Sequence, residues 1–239
     1  GSMAALSLTA CGGGTSTTAT TTAAAADATT AAETSNSDAI VLQVAFENSI
    51  SEPIGQGIVK AQELLKEKSG GTMEIQIYPD SQLGDKSSLI DSMLLGENVC
   101  TVADGAFYAD YGVPDFGIVF GPFLFDSWDQ CWTLIESDWY KEQCSKLADK
   151  GLTVLGSNWV YGERELMTKD KAVVPADIKG KKIRLANSQI YVEGFNALGA
   201  TAVPMALGDV YTALQNGTLD GVENPLSTLY GQSFQEVTK

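Results

Sequence analysis

The sequence contains no histidine. That absence removes histidine acid–base catalysis, Ser–His triads, Cys–His dyads and imidazole-ligated metal sites together. Basic residues are also scarce: 15 Lys and Arg stand against 30 Asp and Glu, a net charge of −15. This balance argues against nucleic acid as a partner and against a polybasic membrane patch. It does not argue against a small anionic ligand, because one buried arginine sets the local field. Long apolar runs are missing, and so is a phosphate loop. Gly55-Gln56-Gly57 begins like a dinucleotide fingerprint, but position 60 is Lys60 and the triplet follows Pro53 instead of ending a strand. No cofactor and no metal are expected. The four cysteines do not define a redox compartment. On one continuous helix Cys131 and Cys144 would stand about 20 Å apart, whereas a disulfide needs Cα atoms within about 7 Å. A break near Ser137-Asp138 leaves a bridge open, but Cys100, Cys131 and Cys144 are expected as free thiols.

What is present fits a soluble α/β protein. Of 239 residues, 44% are apolar and 19% charged, enough for one large domain or two lobes. The most informative stretch is 181–225. Its pattern predicts a strand over 182–185 and a helix over 189–198, with Gly199 suited to the left-handed position that follows. A strand over 201–204, a helix from Asp209 to Gly217 and a strand over 218–223, closed by Asn224-Pro225, complete a βαβαβ unit. In open α/β sheets ligands gather at the carboxyl ends of strands. Arg184 and Asn224 fall at two such ends. A guanidinium fork matches a carboxylate bidentately, and an amide adds a donor and an acceptor beside it. The plainer alternative is a surface arginine in a salt bridge and an asparagine that caps the next helix.

The same plan precedes it. Residues 39–46 read as a largely buried strand. Pro53 opens a helix with Ile54, Ile58, Ala61, Leu64 and Leu65 on one face, ended by Gly70-Gly71. Met73, Ile75 and Ile77 alternate as a strand. Asp85 caps a helix striped by Leu89, Ile90, Met93 and Leu94 and stopped by Gly96, and a strand over 99–103 follows. Glu47 and Asp104 come just after the first and third strands, on the edge where a ligand would sit. There they either accept hydrogen bonds from ligand hydroxyls or stand as solvated loop acids. Residues 113–125 are too rich in Pro and Gly for a helix, and their phenylalanines read as packing groups. Amphipathic stretches at 128–135 and 139–150 follow, then strands over 152–157 and 165–168.

Three motifs in the second half, GKKIRL at 180–185, GATAVPM at 199–205 and DVYTALQNGTLDGVENP at 209–225, together resemble the solute-binding receptors of TRAP transporters, the DctP-like family. YPDSQLG at 78–84 and GER at 162–164 match further landmarks of that family. The resemblance implies a two-lobed periplasmic-binding-protein-like fold with a ligand cleft between lobes. It implies that Arg184 is the carboxylate-binding arginine, Asn224 its polar companion and Arg164 a second cleft arginine. It places Glu47 and Asp104 near the first-lobe wall, and it offers Trp159 and Tyr161 as ring platforms for a ligand face. Leu207 stands where many members carry an aromatic ring. Asn187 and Gln189 either reach the ligand or cap a helix.

Leu8-Thr9-Ala10-Cys11 is similar to a bacterial lipobox, which makes Cys11 the expected lipidation site, although a basic region ahead of it is absent. Gly1-Ser2-Met3 reads either as a cloning remnant or as the end of a trimmed apolar region. Residues 12–38, nearly all Thr, Ala, Ser and Gly, are expected to be a disordered tether. The expected organisation is a signal remnant over 1–11, the tether over 12–38, a first lobe over 39–160 and a second over 161–239. Family members continue past Lys239, so the second lobe is expected to lack its closing part. The expected function is extracytoplasmic capture of a small organic acid, foremost a sugar acid, by a lipid-anchored monomer that delivers it to TRAP membrane subunits. A keto, hydroxy or dicarboxylic acid is the next reading. A glycosidase built on the Glu47–Asp104 carboxylates and a receptor serving a sensor kinase are the alternatives from other classes.

Overall fold

The computed structural model describes residues 39–239. Cys11 and the 12–38 tether lie outside the described residues. Two sheets organise the chain. The first is built by β1 (Ile40–Ala45), β2 (Met73–Tyr78) and β3 (Val99–Cys100). They pair in parallel in the order β2-β1-β3. The crossovers are α1 (Pro53–Lys68) and α2 (Lys86–Leu94). Pro53 starts α1, where a missing N–H costs nothing. Asp85 caps α2 by accepting from the Ser88 amide at 2.8 Å. β1 is less buried than its apolar run predicts: Ile40 and Val41 are 61% and 39% exposed. The reason lies in β3, which spans two residues instead of 99–103 and pairs only with Gln43 and Val44, so the start of β1 is uncovered on that side.

Helix α3 (Gly105–Asp110) follows, capped by Asp104, whose Oδ1 accepts from the Ala106 amide at 3.0 Å. The Pro- and Gly-rich segment forms a 3-10 helix over Pro114–Phe120. Phe116 is fully buried there, with edge-on contacts to Tyr108 and Tyr140, both at 5.2 Å. Phe123 departs from the packing role expected of it: it has a φ of 58° and is fully exposed. Helices α4 (Trp128–Glu136) and α5 (Asp138–Ala148) are separated at Ser137, which caps α5 by accepting from the Tyr140 amide. Despite that break, Cys100, Cys131 and Cys144 are free. The strand expected over 152–157 is absent. Leu152 and Val154 do pack on the first core, but Leu155 is 76% exposed and the backbone joins no ladder. Alternating side chains reported burial there, not strand pairing.

The second sheet comprises β4 (Arg164–Thr168), β5 (Lys182–Leu185), β6 (Thr201–Pro204) and β7 (Gly221–Pro225) in the order β4-β7-β5-β6. Its parallel strands are crossed by α6 (Gln189–Ala197) and α7 (Val210–Gln215), and α8 (Leu226–Gly231) leaves β7. β7 starts three residues later than the predicted 218–223 and ends two residues later. Asn224 and Pro225 pair with Glu165 and Arg164, so they lie inside the ladder instead of closing it. Proline is tolerated because β5 pairs with β7 only at Gly221 and Val222, so Pro225 has a ladder partner on one side alone. Ile183 and Leu185 point to one face and pack with Ala106, Ile178, Tyr191 and Ala200. Ala106 belongs to the first lobe, so this cluster also joins the two lobes. Val222 packs with Leu207, Val210, Leu214, Leu219, Leu229 and Phe234 on the second-lobe core.

Candidate functional site

The carboxyl edges of the two sheets converge on one cavity with an empty volume of about 330 Å³. It is lined by Glu47, Asn48 and Lys86 from the first lobe's loops and α2, and by Tyr161, Arg164, Arg184 and Asn224 from the second. Asp104, Ala186, Tyr191 and Leu207 complete the lining. β4 explains why its first residue reaches the same edge as the last residues of β5 and β7: it runs antiparallel, with Arg164 opposite Pro225.

Arg184 is 3% exposed. Its Nε and Nη2 both donate to the Met205 carbonyl, at 2.9 and 2.6 Å. No carboxylate pairs with it among the described residues, and the rest of its fork is unpartnered there. Burial pulls its pKa below the ordinary guanidinium value, while Glu47 and Glu223 pull it back up. A buried cation without a directly paired carboxylate is costly. The surface salt bridge weighed as the plainer reading of Arg184 does not form.

Arg164 lies differently. Its Nε and Nη2 meet Glu223 Oε2 and Oε1 at 2.5 and 2.7 Å, a bidentate pair in which Glu223 is almost wholly buried. The register makes this pair: Arg164 opposes Pro225, which shares a sheet face with Glu223 two residues back. The guanidinium also sits over the Tyr191 ring, 4.9 Å from its centroid. Burial works most strongly against its charge, but the Glu223 contacts, together with Tyr191 and Asp104, outweigh it and raise its pKa above the ordinary value. Arg164 is therefore a cavity arginine whose charge is paired with Glu223, whereas Arg184 and Lys86 line the cavity without an ion pair among the described residues.

Asn224 is buried, and its Oδ1 accepts from the Tyr161 hydroxyl at 3.2 Å. Its amide nitrogen has no partner among the described residues. Tyr161 continues the chain: its hydroxyl lies 3.1 Å from Asn48 Nδ2 and 2.9 Å from Thr228 Oγ1. Tyr161 thus lines the cavity and joins Asn48, Thr228 and Asn224 through its hydroxyl. Glu47 Oε1 accepts from the Leu207 amide at 3.3 Å, a direct link between lobes. Ser188 Oγ donates to the Ala106 carbonyl at 3.1 Å, and the Gln189 amide donates to Asp110 Oδ2 at 3.2 Å, adding two more. The start of α6 is thus served from the first lobe, and neither Asn187 nor Gln189 caps it with a side chain. Asn187 lines an adjoining pocket with Lys86, Met205 and Ala206. Trp159 is not at the cavity: it is 46% exposed and lies against Gly57 of α1, where an added Cβ would stand 3.1 Å from its ring.

Sequence reasoning missed Asn48, Lys86 and Tyr191, and it passed over Glu223. Lys86 makes no ion pair among the described residues, and its Nζ rests 4.5 Å above the Phe107 ring. Its place directly after the cap Asp85 was the available signal, since that puts it at the carboxyl edge of β2. Among the described residues no cluster of His, Cys, Asp or Glu is arranged to hold a metal, and no helix is long and apolar enough to cross a membrane.

Comparison with known proteins identifies the family and the fold. The model of bacterial extracellular solute-binding protein, family 7 (DctP) matches residues 44–239. The C4-dicarboxylate-binding periplasmic protein DctP of Rhodobacter capsulatus is 30% identical over 203 residues, covering 85% of this chain and 61% of that protein. A TRAP periplasmic solute binding protein from Ochrobacterium anthropi, solved with bound L-fuconate, superposes with a TM-score of 0.82 at 39% identity. That match covers 84% of this chain and 66% of the other. A second, from Actinobacillus succinogenes 130z with bound L-galactonate, gives 0.81 at 35% identity, covering 83% and 66%. The chain spans about three fifths of the length of the curated relatives it matches, 61% and 62% in the first two.

Proposed function

Since the chain belongs to family 7 of the bacterial extracellular solute-binding proteins, we propose that it captures a small organic acid in the cavity between its lobes and hands it to the membrane subunits of a TRAP transporter. The observation that carries this reading is Arg184: a buried guanidinium in a cavity, oriented by the Met205 carbonyl, with no carboxylate partner among the described residues. The ligand's carboxylate completes its fork, and the free amide of Asn224 adds a donor beside it. With Arg164 neutralised by Glu223, the remaining charges are Arg184 and Lys86 against Glu47 and Asp104. A dianion would meet two carboxylates across the cavity. A monoanion with several hydroxyls places one charge on Arg184 and offers hydroxyl donors to the acids. A sugar acid is therefore the proposed ligand, in keeping with the L-fuconate and L-galactonate bound by the two similar structures. Both lobes line the cavity, so ligand contacts on both favour the closed arrangement. Cys11 as a lipid anchor and a monomeric receptor outside the cytoplasm complete the proposal. Nothing in the arrangement calls for catalysis.

Thermal melting against L-galactonate, L-fuconate, D-galacturonate, succinate and a 2-keto acid tests it. A ligand at 100 times its Kd stabilises by about 2.7 kcal/mol, which for a domain of this size raises Tm by about 5–10 °C. A shift with sugar acids that exceeds the shift with succinate is expected. A shift confined to succinate would reassign the ligand class, and a cooperative melt unmoved by any acid would overturn capture of an organic acid.

A further inference from the structure

α6 presents Tyr191 to the cavity, and the ring is held from two sides. Arg164 lies over its face at 4.9 Å, and Phe120 meets it edge-on at 5.8 Å. Arg164 is itself fixed by Glu223, so the ring has little freedom to swing. Tyr191 is 8% exposed, and its hydroxyl is shut off from bulk solvent without any hydrogen-bond partner among the described residues. Leaving such a group unpaired costs about 1–3 kcal/mol. Phenylalanine would fill the same space without that cost. The hydroxyl also stays protonated: burial first, then the charge of Asp104, holds its pKa well above the ordinary phenol value.

The cavity has two ends. Arg184 and Glu47 continue together into the adjoining pocket, which neither Tyr191 nor Asp104 lines. The charges divide in the same way: Glu47 acts on Arg184, whereas Asp104 acts on Tyr191 and Arg164. A single ligand hydroxyl donates once and accepts up to twice, which suits a carboxylate acceptor beside a phenol donor.

We infer that Tyr191 and Asp104 form a hydroxyl-reading subsite at the end of the cavity away from Arg184, where Tyr191 donates to, and Asp104 accepts from, one hydroxyl of the bound acid. This rests on the proposed capture of an organic acid and adds how the chain tells a polyhydroxy acid from one without hydroxyls. Sites built to hydrogen-bond a hydroxyl discriminate far more strongly than apolar ones, because their own polar groups are otherwise left unpaired.

The test is Tyr191→Phe, with L-galactonate as the probe in calorimetric titrations and with melting of the unliganded protein as the fold control. The expected result is an affinity lower by about 10-fold or more, in a variant that melts at or above the wild-type temperature. Wild-type affinity in the variant would overturn the subsite and leave the hydroxyl facing a buried water. A variant that melts several degrees lower without ligand would also overturn it, by assigning the hydroxyl a structural partner. Failure of the capture reading itself is visible beforehand, as a wild-type protein whose melting none of the organic acids shifts.

Discussion

Arg184→Lys is expected to weaken L-galactonate binding by at least about 100-fold. The arginine divides its donors: Nε and Nη2 are spent on the Met205 carbonyl, and its other N–H groups have no partner among the described residues at the cavity that it lines. One ammonium cannot serve both directions. Charge-assisted hydrogen bonds are worth about 1.5–3 kcal/mol each, so losing two removes about 3 kcal/mol or more, a factor above 100. Arg184→Met sharpens the test, because it separates function from stability. It removes a buried cation that lacks a carboxylate partner among the described residues, which relieves the unliganded protein, and it strands the Met205 carbonyl, which costs about 1–3 kcal/mol. These oppose each other. Urea unfolding is therefore expected to show the unliganded variant within about 2 kcal/mol of wild type, with no measurable ligand heat. Retained binding in either variant would remove Arg184 as the anchor.

The second large effect is expected at Glu52, which does not line the cavity itself but bonds to a residue that does, Asn48. Its carboxylate is 3% exposed and has no cation partner among the described residues. Four donors satisfy it instead: the Ser49 amide at 3.0 Å, Asn48 Nδ2 at 2.8 Å, Thr228 Oγ1 at 2.8 Å and Gln232 Nε2 at 3.1 Å. Ser49 and Asn48 precede α1, whereas Thr228 and Gln232 belong to α8 and its end, so this one side chain ties β1's loop to the segment that leaves β7. Gly231 leaves the room for it: a Cβ there would stand 2.5 Å from Glu52 Cγ. Glu52→Ala orphans several buried donors at once and is expected to cost about 3–5 kcal/mol in urea unfolding. Glu52→Gln keeps the shape but turns one acceptor into a donor among donors, so it is expected to recover only part of that loss. Because Asn48 and Thr228 both contact the Tyr161 hydroxyl that holds Asn224, both variants are also expected to bind L-galactonate more weakly. Full stability in Glu52→Ala would show that the four contacts contribute nothing net.

These two residues mark what was legible in the sequence and what was not. Arg184 could be found because hydrophobic periodicity places strand ends, and the parallel strands β5 and β7 end at one edge. The strands over 182–185 and 201–204 came out as read for the same reason. Glu47, Asp104 and Asn224 follow from that geometry. Glu52 and Glu223 could not be found, because each is defined by a partner far along the chain, Thr228 in one case and Arg164 in the other. Nothing local encodes that β4 runs antiparallel with Arg164 opposite Pro225, and this register decides that Arg164 is neutralised while Arg184 is not. Tyr191 looked like any aromatic on an amphipathic helix. Only the missing partner for its hydroxyl separates it from core packing. Trp159 erred in the opposite sense: it flanks the motif that supplies Arg164, yet its ring rests on α1 beside Gly57.

The central claim is that a carboxylate completes the fork of Arg184. Its most direct test is a calorimetric titration of the wild-type chain with L-galactonate and with L-galactonamide, which replaces the carboxylate by a neutral amide and keeps every hydroxyl. The account predicts binding of the acid and an amide weaker by about 100-fold or more, since the amide brings no charge to the guanidinium and puts a donor where an acceptor is needed. Equal affinities for the two would contradict it, as would binding of neither.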